Sequence, residues 1–229
     1  MAELGAVRLY RDRRHAGAVL ARALREEALA GDALVLALPR GGVIVGAEIA
    51  RARRAPLDVL VVRKLGVPGQ EELAMGAIAS GGVTVRNEEV AALVREDVLH
   101  AVAKRELREL ERREELYRAG RPPLDVSGMT VILADDGLAT GATMRAAIAA
   151  VRAHGAARAV VAVPVAPSKT VDALRAEADA VVCPSTPEMF FGIGQFYDDF
   201  AQTEDEEVQQ ILASWAGGDA YGDGDEARP

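Results

Sequence analysis

Asp135 and Asp136 stand between an apolar run and a small-residue loop in VILADDGLATGATM, Val131 to Met144. Val131 to Ala134 read as a short buried strand, and Gly137 to Thr143 opens a helix that runs on through MRAAIAAVRAHG to a stop at Gly155. The acids therefore fall at the carboxyl end of a strand. The free N–H groups of the helix start that follows carry partial positive charge, so Ala139, Thr140, Gly141, Ala142 and Thr143 can hold a dianionic phosphate without a lysine. Thr140 and Thr143 add hydroxyl donors. Because the chain is turning at a strand end, both acids can border one crevice, where carboxylates suit ribose hydroxyls. A nucleoside-triphosphate loop would need GxxxxGK[ST] and a dinucleotide fingerprint GxGxxG, and the segment has neither.

Two further stretches carry chemistry of the same kind. LPRGG, Leu38 to Gly42, follows the first apolar run, where Gly41 and Gly42 let backbone amides approach an anion and Arg40 supplies a planar fork for phosphate. VRKLGVPGQEELAMG, Val62 to Gly76, carries Arg63 and Lys64 and then Gly66, Pro68 and Gly69, a composition that predicts a mobile flap over residues 66 to 82.

The 131–144 segment resembles the phosphoribosyl-diphosphate (PRPP) signature of the type I phosphoribosyltransferases. That resemblance implies that Asp135 and Asp136 hold the ribose 2- and 3-hydroxyls while Gly137 and the loop Ala139 to Thr143 cradle the 5-phosphate. It implies that the turn at Pro39, Arg40, Gly41 and Gly42 binds the diphosphate, with a cis peptide between Pro39 and Arg40, and that the flap closes over the donor with Arg63 and Lys64 as its basic pair. The implied chemistry is displacement of pyrophosphate from C1 of the ribose by a nitrogenous acceptor. Mg²⁺ would be the cofactor, held mainly through substrate oxygens rather than by a protein ligand set. The acceptor hood would come from the chain ends, with Phe190, Phe191 or Tyr197 stacking on a planar base. The chain departs from 6-oxopurine enzymes, which place an Asp before the Thr-Gly of the loop, where Ala139 stands here. RDRRHAG near the start and FAQTEDEEV near the end extend the resemblance over roughly residues 8 to 212. A non-catalytic PRPP sensor on the same fold is the alternative reading.

The elements that must position these groups follow from the periodicity. Amphipathic spacing predicts a helix over 12–29, and apolar runs predict strands at ALVLAL, DVLVV, 131–135, 158–163 and 180–183, alternating with helices near 141–154 and 168–177. A single charged helix is predicted over roughly 88–118, its face solvated or in a subunit contact compatible with a homodimer. The expected class is α/β, a Rossmann-like doubly wound and mainly parallel five-stranded sheet with a small hood. We expect a core over 1–186 containing a flap near 63–86, a hood and C-terminal helix over 187–215, and a disordered acidic tail over 216–229. The length of 229 residues is enough to bury a sizeable core, and a formal charge of −8 argues against a nucleic-acid surface. One cysteine, Cys183, excludes an internal disulfide. With no signal-peptide pattern and no apolar stretch of spanning length, the expected location is the cytoplasm, away from membranes.

Overall fold

The computed structural model of the chain describes residues 8–26 and 33–216. In chain order the first half contains α1 (Arg13–Glu26), β1 (Ala33–Ala37), α2 (Gly41–Arg53), β2 (Leu57–Val59), β3 (Val62–Val67), β4 (Gln70–Ala79) and β5 (Val83–Arg86). A short α3 (Glu88–Ala91) and a long α4 (Glu96–Arg118) lead into the second half. There β6 (Thr130–Ala134), α5 (Ala142–Ala153), β7 (Arg158–Ala162), α6 (Ser168–Arg175) and β8 (Ala180–Val182) precede α7 (Asp205–Ala216).

Five strands form a parallel sheet in the order β2-β1-β6-β7-β8. Their side chains alternate between two cores, as the two-residue period of a strand requires. Val35, Ala37, Ile132, Ala134, Val160 and Ala162 pack with α1, α2, α4 and α7, whereas Leu34, Leu36, Val131, Leu133 and Val161 pack with α5 and α6. Helices thus cover both faces, and the predicted α/β class is the one observed. The strand order reverses between β1 and β6, which opens a crevice over the carboxyl ends of these two neighbours.

β3, β4 and β5 form a separate antiparallel sheet, with register shifts on either side of Gly66 and a turn at Gly69, whose φ is +81°. Glycines that suggested looseness are used for a turn and an irregular register. The run DVLVV is divided between two sheets, since β2 ends at Val59 and β3 begins at Val62. The charged segment 88–118 is not one helix. Its chain turns at Ala92 to Arg95, and Glu96 and Asp97 then place negative charge on a fresh helix start, where the dipole favours it. The N-terminal helix is described as far as Glu26, and the rest of its predicted span lies outside the described residues, as does the predicted acidic tail beyond Ala216.

The hood is built from both chain ends, as expected. Leu9 and Tyr10 donate backbone hydrogen bonds to the Phe196 carbonyl, Asp198 N–H donates to the Tyr10 carbonyl, and Tyr10, Ala16, Val165, Phe196 and Tyr197 form its buried centre. Among the described residues no helix is long and apolar enough to cross a membrane.

Candidate active site at the sheet switch point

The carboxyl ends of β1 and β6 bring the two strongest sequence motifs together. The Leu38 N–H donates to the Ala134 carbonyl at 2.9 Å, so the turn Pro39–Gly42 lies beside Asp135 and Asp136. The peptide bond between Pro39 and Arg40 is cis, as the resemblance implied. Gly41 and Gly42 are required by close approach rather than by φ. A Cβ on Gly41 would overlap Asp136 Oδ2 and stand 2.6 Å from Arg13 Nε, and one on Gly42 would stand 2.8 Å from the Ala134 carbonyl oxygen and 3.0 Å from Asp135 Oδ1.

The acids are held differently. Asp135 Oδ1 accepts the Asp136 N–H at 2.8 Å, while Asp136 Oδ2 accepts Arg13 Nε at 2.6 Å. Arg13 and Asp136 side chains are only 11% and 13% exposed. Burial raises the pKa of both carboxyls above the usual range. For Asp135 the charge of Asp136 adds to burial and the shift is large; for Asp136 the Arg13 hydrogen bond and charge oppose it.

Beyond the acids the chain turns through Gly137 into an open loop. Leu138 N–H donates to the Val165 carbonyl at 3.0 Å, and Thr170 Oγ1 donates to the Ala139 carbonyl at 2.7 Å, which ties the loop to α6. Gly141 caps α5 in the left-handed region, with φ of +75°. Ala139, Thr140, Ala142 and Thr143 are exposed at the start of α5, where the Ala142 N–H makes a long 3.5 Å hydrogen bond to Thr140 Oγ1.

Across from α5 the antiparallel sheet closes a cleft of about 540 Å³, whose lining includes Val62, Lys64, Gly76 and Arg86 on one side and Ala142 and Thr143 on the other. Lys64 therefore faces the same space as the anion-binding helix start. Arg63 does not join it. Its Nε and Nη2 both donate to Glu106 Oε2, at 3.0 and 2.7 Å, on α4. Alternate residues of a strand face opposite ways, so Arg63 and Lys64 separate. Arg40 also leans away, lying 3.8 Å from Glu204 and 3.9 Å from Asp205 at the start of α7.

Of the expected acceptor aromatics, Tyr197 is a correction. It is 1% exposed, packs on Tyr10 and Phe200, and its hydroxyl donates to the Asp136 carbonyl at 2.6 Å. A ring enclosed in the hood core has no face left for a base. Phe190 is half-buried against Phe196, and Phe191 is 90% exposed.

Sequence reasoning missed Arg13, Glu106 and Thr170. Arg13 lies in the RDRRHAG stretch, but Asp12, whose Oδ1 accepts the His15 N–H at 2.7 Å, already supplies a carboxylate to the start of α1, so nothing local pointed from Arg13 to Asp136. Glu106 and Thr170 had no signal either, since each acts through a partner remote in sequence.

A doubly wound parallel sheet with a carboxylate pair and an exposed helix start at its switch point defines an α/β protein of the phosphoribosyltransferase type. The phosphoribosyl transferase domain matches residues 12–201, and the chain belongs to that family. Proteins from two strains of Mycobacterium tuberculosis, each provisionally named a phosphoribosyl transferase, are 48% identical over 209 residues, covering 90% of this chain and 47% of their own length. The chain thus spans about half the length of these curated relatives. The crystal structure of TT1426 from Thermus thermophilus is similar at 45% identity and a TM-score of 0.81, over 90% of this chain and 99% of that one.

Proposed function

We propose that the chain transfers the 5-phosphoribosyl group of PRPP, with Mg²⁺, to a nitrogenous base or related small acceptor and releases pyrophosphate. The observation that carries this reading is the open loop Ala139–Thr143 at the start of α5, directly after the Asp135–Asp136 pair and beside the Pro39–Gly42 turn. In this reading the helix start binds the 5-phosphate, the acids accept the ribose hydroxyls, and backbone at Gly41 and Gly42 lies along the diphosphate. As C1 takes on positive charge, the acids beneath the ring stabilise it, and Lys64 faces the departing diphosphate from the flap sheet.

The donor set fits a magnesium ion carried in by PRPP. Mg²⁺ retains waters and substrate oxygens and needs only one or two carboxylates, and Asp136 has one oxygen already taken by Arg13. When bound, the ion would neutralise the diphosphate. The acceptor class is tested by offering Mg-PRPP and a panel of nucleobases and following pyrophosphate release. Release with one base and not with buffer supports transfer; binding without release for any acceptor supports the second reading, PRPP sensing. That second reading is favoured by the pairing of Arg63 with Glu106 and the leaning of Arg40 toward Glu204 and Asp205, which turns both arginines from the diphosphate.

A further inference from the structure

Arg13 lies at the point where both chain ends meet the acid pair. Besides donating Nε to Asp136 Oδ2, it donates Nη1 to the Ala201 carbonyl at 2.7 Å and lays its guanidinium over the Phe200 ring, 3.9 Å from the centroid. One planar cation thus clasps the end of β6 on one edge and the C-terminal segment on the other, with an aromatic face beneath it. The Gly41 backbone lies against the same pair so closely that a side chain there would displace it. These contacts leave Asp136 no freedom to rotate, and they engage one of its two carboxylate oxygens.

We propose that Arg13 is the positioning residue of the acid pair: it fixes the rotation of Asp136, places a positive charge against the carboxylate that meets the ribose hydroxyls, and ties that carboxylate to the C-terminal segment. This rests on the PRPP reading above. Two buried carboxyls on consecutive residues cannot both ionise cheaply without a cation, and Arg13 is the cation that contacts Asp136 and whose charge also acts on Asp135. The other charged or titratable groups nearby are Asp12 and Arg14 at the start of α1, Tyr197 and Asp199 in the hood, Glu207 on α7, and Arg40, which leans to Glu204 and Asp205. None of these is recorded in contact with the carboxylate oxygens of Asp136. Without Arg13, only the Asp136 backbone N–H would oppose burial, the pair would hold its proton to higher pH, and a protonated carboxyl is a poorer acceptor for hydroxyls.

The test is calorimetric titration of Mg-PRPP into wild type, Arg13→Gln and Arg13→Lys from about pH 6.5 to about pH 9, with thermal unfolding of each protein. Arg13→Gln is expected to bind about tenfold or more weakly than wild type near neutral pH, and the deficit is expected to shrink as pH rises. Arg13→Lys, which keeps the charge but loses the fork and the stacking, is expected to fall between them at every pH. A deficit that stays constant with pH would reduce Arg13 to a structural clasp, and undiminished affinity in Arg13→Gln would remove its role; either overturns the proposal. If Arg13→Gln does not fold, the same narrowing is read on Arg13→Met, which also removes the charge. Failure of the wild type itself to bind Mg-PRPP refutes instead the reading on which the proposal rests.

Discussion

At the carboxyl edge of the parallel sheet, β6 is buried along all five residues and the anion site that follows it is made of backbone; across the cleft, β3 buries one residue of six and presents its charge on side chains. The two walls serve one ligand by different physics. A helix start aims its dipoles at fixed cost and cannot turn away, so the β6 wall is organised before any ligand arrives. Side-chain cations on a half-exposed strand can be claimed by other acids, and Arg63 has been claimed by Glu106. Under the proposed function, the rigid wall would define what is bound and the flap wall what happens to it.

Gly41→Ala strikes the rigid wall hardest, because the added methyl overlaps Asp136 Oδ2 and must push the acid or Arg13 aside. A displacement of this size at a pre-formed site is expected to weaken Mg-PRPP binding about 100-fold, read by calorimetry. An affinity within about threefold of wild type would show that the wall is not fixed.

The acids themselves should separate in stability. Asp136→Asn weakens the partner of a nearly buried arginine and is expected to cost about 2 kcal/mol, a fall in Tm of roughly 4–8 °C. Asp135→Asn is expected to raise Tm instead. Its carboxyl has a pKa raised in the fold, so it contributes stability while protonated and loses that contribution as pH climbs through the folded value. The advantage of Asp135→Asn over wild type should accordingly grow from acid to alkaline pH, and an advantage that shrinks would reverse the assigned direction.

Glu106→Gln is the corresponding cut on the flap wall. It loosens Arg63 and is expected to speed hydrogen exchange over residues 62–67 about tenfold while leaving 130–134 unchanged. Equal acceleration in both strands would mean that the two walls are one cooperative unit. Smallest in its effect on binding is Lys64→Ala. A cation at an open cleft contributes little affinity, so Mg-PRPP should bind within about threefold of wild type while any pyrophosphate release slows by about tenfold or more. Equal rates in both proteins would take Lys64 out of the chemistry.

The same contrast explains what could be read from the sequence. The parallel sheet was legible because buried strands write continuous apolar runs and their neighbours are helices of recognisable period, and the loop at Ala139–Thr143 was legible because a backbone site follows from local order alone. The hood was legible as a place but not as a set of contacts. Tyr197 looked like a base-stacking ring because composition cannot distinguish an aromatic that lines a pocket from one that holds a carbonyl at the pocket's back. The pairing of β3 with β4 was hidden because Gly66 and Gly69 signal freedom and irregular pairing equally. Arg13, 123 positions from its partner, needed the folded chain.

The most direct measurement is the binding of Mg-PRPP to wild type, Asp135→Asn and Asp136→Asn by calorimetric titration under conditions where all three are folded. The site assignment predicts that wild type binds one Mg-PRPP per chain and that each substitution weakens binding about tenfold or more, because each replaces a carboxyl oxygen able to accept from a ribose hydroxyl with an amide nitrogen that cannot. Unchanged affinity in both variants would contradict it and place the donor elsewhere in the molecule.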